Sequence, residues 1–567
     1  MKRFRWQLII IFLTGMVIGI LLLVEKPVPI TPVGVTPEPV KGGVYTEALV
    51  GSFQRLNPLL DFYNPADRDI NRLIFSSLVK FDSNGYPRPD LAEVWGISQD
   101  GTLYNFTLRN GLKWHDGRPL TTEDVIFTVD LMRNGGKVVP KNLQDFWNTI
   151  EVKKFNDLTM QFRLPEAFSP FLDYLSFGVL PKHLLDGVSA DAMIDAPFNL
   201  KPIGSGPYRF KQLILENNQI AGVALSINEG YYSAKPFIQD VVFRYYPDSA
   251  AAVKAYKDGL VQGISQVTQD SLSGVLALPN LALYSARMPQ QSIILFNLKD
   301  KEAPFFQDPK IRKALLVGLN RQWIIDRLLG GQAILADGPV FPGTWAYYGA
   351  TESIRFDIEQ ANNLLRDAGY VYASEKEAVR SKEKVELGFK LLHQDDDLHR
   401  SIAEVIQKDW AKIGVRVDLE SLPLQKILSE RLEPRLYQAV LINLNFSRSP
   451  DPDPYPFWDQ GQSTGGQNYS QWENRLASEY IETARITLDI AERARLYRNF
   501  QVIFRQEWPA LPLFYPVYTY AIDRQVQGVR VGPLFDASDR FVNINEWYLV
   551  AQIPKDVGPQ KEEPTKP

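Results

Sequence analysis

From Leu8 to Val24 the chain carries no charged residue, and Trp6–Val24 runs almost without a polar group. Roughly 17 apolar residues make about the shortest helix that crosses a hydrocarbon core. Lys2, Arg3 and Arg5 precede this run, so the basic start is expected in the cytoplasm and the bulk of the chain outside. Glu25-Lys26-Pro27 follows without a small-residue cleavage site, which predicts an uncleaved, single-span anchor over residues 1–25. A cleaved secretory signal is the alternative reading of the same segment. Residues 26–41 hold Pro27, Pro29, Pro32, Pro37 and Pro39 and read as a semi-rigid extended linker.

Beyond the linker the periodicity switches between two and three-to-four. Tyr104–Leu108 and Val223–Ile227 alternate as short strands. Thr121-Thr122-Glu123-Asp124 opens an amphipathic helix through Met132, with a hydroxyl cap and early acids. Val385–Leu392 has strand character. Asp396 or Asp397 then caps a helix that lines up Ile402, Val405, Ile406, Trp410 and Ile413 on one face. Gly414 suits its stop, and Val415–Leu419 is the next strand, which completes a βαβ unit. Asp357–Ala368 and Asp489–Gln506 read as further helices. The polar tail 554–567 is expected to be disordered.

A chain of 567 residues exceeds what one core supports, since single cores stop growing at roughly 250–300 residues. The 62 basic and 66 acidic side chains leave a formal net charge of −4, without the basic excess of a nucleic-acid binder. The absence of cysteine removes disulfides, thiolate nucleophiles, zinc–thiolate sites and a lipidated cysteine. Aromatic residues make up 12% of the chain, a supply of flat surface for a core or for a wide organic ligand.

Several ordered segments together carry a resemblance. They are Asn57-Pro58-Leu59-Leu60-Asp61, Ile74-Phe75-Ser76-Ser77-Leu78-Val79, Pro89-Asp90-Leu91-Ala92-Glu93 with Trp95, and Trp114-His115-Asp116-Gly117-Arg118-Pro119-Leu120-Thr121. Pro202-Ile203-Gly204-Ser205-Gly206-Pro207-Tyr208, Tyr231-Tyr232 and Phe306-Gln307-Asp308 with Arg312-Lys313-Ala314 continue the series. In number, order and spacing they resemble the family 5 extracytoplasmic solute-binding proteins, the receptors of peptide and nickel ABC importers. The resemblance implies an α/β, two-lobed periplasmic-binding-protein type II-like fold of the large peptide-receptor class, with an extra subdomain on the N-terminal side. Lobe one would span 42–290, including a subdomain at about 80–195, and return at 521–553; lobe two would span 291–520. It also implies a receptor on the extracytoplasmic face of a bacterial cell membrane. Such a receptor captures a peptide or similar organic solute and delivers it to ABC permease subunits, with no cofactor, no metal and no nucleic acid.

In peptide-binding members, a second-lobe carboxylate a few residues ahead of a D-P-D-like stretch holds the ligand's amino group. Anchored on Asp451-Pro452-Asp453, that position here is Arg448, which would repel an ammonium and attract an anion. Two other placements stay open: Asp451 or Asp453 takes the amine, or Arg448 turns to solvent and pairs with Asp451. The remaining candidates for ligand contact are Asn57, Trp345, Asn445, Phe446, Trp458, Asn468, Tyr469 and Tyr518, chosen as aromatics and amides on segments that line the cleft in the family. His115-Asp116 and Gly204-Ser205-Gly206-Pro207 read as structural turns.

Catalysis has little support. Gly461-Gln462-Ser463-Thr464-Gly465 matches the nucleophile-elbow pattern, but it lies in a polar loop and no histidine follows it. His393-Gln394-Asp395-Asp396-Asp397-Leu398-His399 could ligate a metal, yet reads better as a strand end and a helix cap. The alternatives to an import receptor are thus a tethered sensor or scaffold and, further off, a hydrolase.

Overall fold

The computed structural model describes residues 39–349 and 353–550. All that follows belongs to the unit Lys41–Pro567. The expected anchor at 1–25, nearly all of the linker and the tail 554–567 lie outside the described residues. Among the described residues no helix is long and apolar enough to cross a membrane.

The local signals form the elements they predict. Thr121 caps the helix Thr122–Arg133, and Asp124 returns a hydrogen bond to the cap's backbone. Two N–H groups that the helix cannot satisfy itself are thereby used. Asp396 caps the helix Asp397–Ala411, and Gly414 (φ +78°) follows its end. Gly388–Gln394 and Arg416–Leu422 flank that helix and pair in parallel, the expected βαβ unit. The helices Ile358–Asp367 and Ile490–Glu507 also stand where periodicity placed them.

Among the described residues, a 12-stranded sheet runs through the body. Its 14-residue strand Ala510–Asp523 changes partners partway along. Residues up to Pro516 pair with Gln290–Phe296 and Ala333–Leu335. From Val517 onward the partners are Leu281–Arg287 and Gly263–Ile264. The hydrophobic core divides at the same place. One core gathers Tyr45, Ile70, Trp147, Phe243, Tyr520 and Trp547; the other gathers Ile293, Phe306, Trp410, Phe504 and Phe514. The chain therefore passes between cores at 287–290 and again at 516–517, a few residues before the expected return at 521.

A four-stranded antiparallel sheet, Ala92–Ile97, Leu103–Leu108, Thr159–Arg163 and Glu151–Lys154, adds to the first core. Gly204 and Gly206 join this region to the helix Pro65–Ile74. A Cβ at Gly204 would stand 2.0 Å from the Ile74 carbonyl oxygen, and one at Gly206 2.4 Å from that of Leu73. Only glycine permits the close approach. His115 locks the same turn, accepting from the Gly204 N–H at Nδ1 (3.2 Å) and donating from Nε2 to the Gly206 carbonyl (3.1 Å). Burial pushes its imidazole down to about 4.

Candidate ligand-binding site

A chamber of about 660 Å³ lies where the two cores face each other. Drug-sized ligands occupy pockets of roughly 300–1,000 Å³, so the volume suits a small organic solute. Direct contacts bridge the cores around it. The Arg448 guanidinium bonds the Asp61 carboxylate, and the Arg448 N–H donates to the Phe535 carbonyl at 2.8 Å. The Asp451 N–H donates to Asp173 Oδ2 at 2.8 Å. Ser169 Oγ donates to the Thr487 carbonyl, and the Trp345 N–H to that of Asn84 at 3.2 Å. Gly85 lets Pro450 close in, since a Cβ there would stand 2.7 Å from the Pro450 oxygen.

The second-core wall follows from the strand Ala439–Asn445 and the turn after it. Asn445 Oδ1 accepts from the Ser447 N–H (2.9 Å) and hydroxyl (2.7 Å), which tightens the exit from the strand. The Phe446 ring stands 5.0 Å from both Phe341 and Phe457. Arg448 then takes φ +65°, uncommon for a residue with a side chain. In that conformation its N–H and guanidinium both reach the first core, with the guanidinium carbon 5.0 Å above the Phe62 ring. Asp451 is buried and held bidentately by Arg493 at 2.6 and 2.9 Å. Asp453 accepts from Arg485 at 2.9 Å. Burial raises the Asp453 carboxyl, against the pull of Arg485.

The first-core wall is assembled from distant segments. Asp61 accepts from Asn71 at 2.9 Å as well as from Arg448. Burial pushes its carboxyl up, while Arg448, Asn71 and Arg68 pull it back. Arg68 pairs with Asp536 at 2.5 Å and Arg72 with Asp539 at 3.2 Å. Asp173 and Tyr174 come from the 3₁₀ turn Ser169–Leu175. Burial, then the neighbouring Asp451, hold the Asp173 carboxyl well above the usual range. Burial and Asp173 push the Tyr174 hydroxyl up to about 12.

Five of the expected residues, Asn445, Phe446, Arg448, Asp451 and Asp453, line the chamber. Arg448 pairs with Asp61 and not with Asp451, whose partner is Arg493. The other six stand elsewhere. Asn57 is buried in a turn, donating to Asn199 at 3.1 Å and accepting from the Leu59 N–H at 3.0 Å. Trp345 packs on Tyr497 and lies under Arg493. Trp458 packs edge-on against Phe504 in the second core. Asn468 donates to the Asp459 and Trp472 carbonyls. Tyr469 lies beneath Arg435, and the Tyr518 hydroxyl donates to the Ser265 carbonyl. In each case a strong local partner has claimed the polar atoms or the ring. Sequence reasoning passed over Asp61, Arg68, Asn71, Asp173, Tyr174 and Arg485. Asp61 stood at the end of a motif that carried the resemblance and could have been singled out there; the others belong to no such motif.

The sequence and fold have relatives. Residues 86–467 match the model of bacterial extracellular solute-binding proteins, family 5 Middle. The dipeptide-binding protein of Escherichia coli strain K12 is 27% identical over 522 residues, 85% of this chain and 91% of that protein. The oligopeptide-binding protein AppA from Bacillus subtilis, solved in complex with a nonapeptide, aligns with a TM-score of 0.66 at 24% identity. The alignment covers 91% of this chain and 100% of that one. HbpA2 from Haemophilus parasuis aligns with a TM-score of 0.77 at 22% identity, over 90% of this chain and 100% of that one. The fold is thus the two-lobed α/β fold of periplasmic binding proteins, and the chain belongs to the bacterial extracellular solute-binding proteins, family 5.

Proposed function

We propose that this protein is a receptor held on the outer face of a bacterial cell membrane, where it captures a peptide or similar organic solute and passes it unchanged to an ABC importer. The chamber between the two cores carries the reading. Its walls combine phenylalanine and tyrosine rings with charges that are mostly already paired. Such walls grip a flexible solute without supplying a reactive group. Relatives named as dipeptide- and oligopeptide-binding proteins support the solute class. The anchor rests on the apolar run Leu8–Val24 behind Lys2, Arg3 and Arg5. The strand crossings at 287–290 and 516–517 are the natural hinge, and a solute favours closure by binding the closed form more tightly than the open one.

Chemistry is disfavoured by the engagement of each histidine elsewhere. His115 is held by backbone, His183 faces Asp116, His393 faces the Gln394 carbonyl and His399 faces Asp396. The test is native mass spectrometry of the purified protein, followed by calorimetry with whatever solute it releases on unfolding. A peptide-like solute of unchanged mass after incubation is expected. Turnover of peptide or ester substrates would overturn the reading. Crosslinking to permease subunits in membranes separates a transport receptor from a tethered sensor.

A further inference from the structure

Among the described residues six arginines are more than nine-tenths buried, and five of them are well partnered. Arg493 holds Asp451, Arg540 holds Glu47 and Asp69, and Arg321 holds Asp337. Arg312 donates to the carbonyls of Phe306, Glu507 and Trp508. Arg380 donates to the Tyr370 and Ile413 carbonyls and to the Asn362 side chain. Arg287 is the exception. It is 3% exposed, no carboxylate pairs with it among the described residues, and its Nε and Nη2 donate to nothing. The one hydrogen bond of its side chain runs from Nη1 to the Met288 carbonyl at 3.2 Å. Burial pushes its guanidinium down to about 10.

Its place in the fold gives that isolation a meaning. Arg287 ends the strand Leu281–Arg287, opposite Val517, and the chain crosses to the second core directly after it. Its guanidinium carbon stands 4.4 Å from the centre of the Phe341 ring and 6.0 Å from that of Phe535. Phe341 packs on Tyr515 at 5.1 Å and on Phe446, on the second-core side. The Phe535 N–H donates to Asp539 at 3.0 Å, in the turn Ala537–Phe541 whose Arg540 is tied to Glu47 and Asp69 of the first core. The cover over Arg287 is thus assembled from both sides of the crossing, and parting the cores takes one ring away and lets water reach the open N–H groups. A guanidinium is well solvated in water, whereas burial without a counter-ion is costly, and a cation–π contact offsets only part of that cost.

We propose that Arg287 is a spring that holds the empty receptor open. Closure strips water from its charge and supplies no counter-ion, so the closed form wins only when the contacts of a solute with both walls outweigh that cost. The bias comes from a residue that stands outside the chamber lining, so it acts on every solute alike. A receptor that rests open is ready to load, and its closed shape then marks it as loaded. The inference rests on the solute-receptor reading, in which the cores move about the crossings at 287–290 and 516–517, and adds to it what sets their resting position.

The chain has no cysteine, so Leu215→Cys on the first core and Leu436→Cys on the second, both at exposed positions, place two spin labels without interference. Double electron–electron resonance on the labelled full chain in detergent, dialysed free of solute, reads the distance between the cores; the separation in the present structure marks the closed form. With Arg287 in place the longer, open distance should dominate. Arg287→Met keeps the length and the apolar stem and removes the charge, and should shift the open-to-closed ratio toward closed by at least about tenfold. Arg287→Lys keeps a charge that is still more strongly hydrated and should stay open. A chain that rests closed with Arg287 in place overturns the spring and needs no variant. So does an unchanged distribution in Arg287→Met, or equal closure of the methionine and lysine variants, which would put size before charge. Each of these results is obtained without solute and leaves the solute-receptor reading standing, since that reading is judged by solute capture.

Discussion

The two walls of the chamber are built in opposite ways. The second-core wall comes mostly from one stretch, Asn445 to Asp453, and its two aspartates are sealed by arginines of their own core. Its two aspartates need no cation from the other core. The first-core wall draws Asp61, Arg68 and Asn71 from around one helix, Asp173 from a 3₁₀ turn and Asp536 from near the C-terminus. Two of its carboxylates reach their second-core partners, Arg448 and the Asp451 N–H, only when the cores are together. A wall built from one stretch takes its charge pairing mostly from its own core, whereas a wall gathered from several takes part of it from the core opposite.

The largest expected effect breaks the second-core wall. Arg493→Met leaves Asp451 buried without its partner and should cost about 3–5 kcal/mol of stability, read by urea unfolding. An unchanged midpoint would mean that Asp451 is not sealed as described. Next comes the pH dependence of the first-core wall. The Asp173 carboxyl is raised above its usual value near 3.8 by burial and by Asp451, so the folded state holds that proton more tightly than the unfolded state. Its contribution to stability is present at low pH and is lost as pH rises through the folded value. Without a solute, Asp173→Asn should therefore gain on the wild type as pH rises from about 4. Thermal unfolding across pH checks this, and parallel curves would contradict it.

A smaller effect probes shape. Phe446→Ala removes a chamber-lining ring held between Phe341 and Phe457 and should weaken the native solute by about 2 kcal/mol, the scale of an aromatic anchor. Affinity unchanged in calorimetry would place the solute away from that wall. The smallest effect belongs to the bridge between the walls. The Arg448 side chain is 34% exposed, so solvent screens its pairing with Asp61. A double-mutant cycle on the two residues should give a coupling of about 1 kcal/mol or less. A coupling of several kcal/mol would make this contact the latch of the closed form.

The difference between the walls also explains what could be read in advance. The contiguous wall was legible, because Asn445, Phe446, Arg448, Asp451 and Asp453 sit together in a proline-rich stretch. What escaped was where each of them points. Arg448 was weighed as an anion site or a partner of Asp451, and it crosses to Asp61 instead. The aromatic and amide candidates that stand away from the chamber do so for a different reason. Trp458, Asn468 and Tyr518 have side chains that cores and turns need as much as ligands do, and here packing and backbone carbonyls took them.

By itself the sequence determined the elements and the family. A cap such as Thr121 with Asp124, or the apolar face of Asp397–Ala411, depends on neighbours a few residues away, and those neighbours are written in order. Only the tertiary structure decided which charges meet. Arg448 and Asp61 are 387 positions apart, and Asp451 and Asp173 are 278 apart. No local pattern encodes such pairs, because their distance is set by how two separately packed cores come to rest against each other.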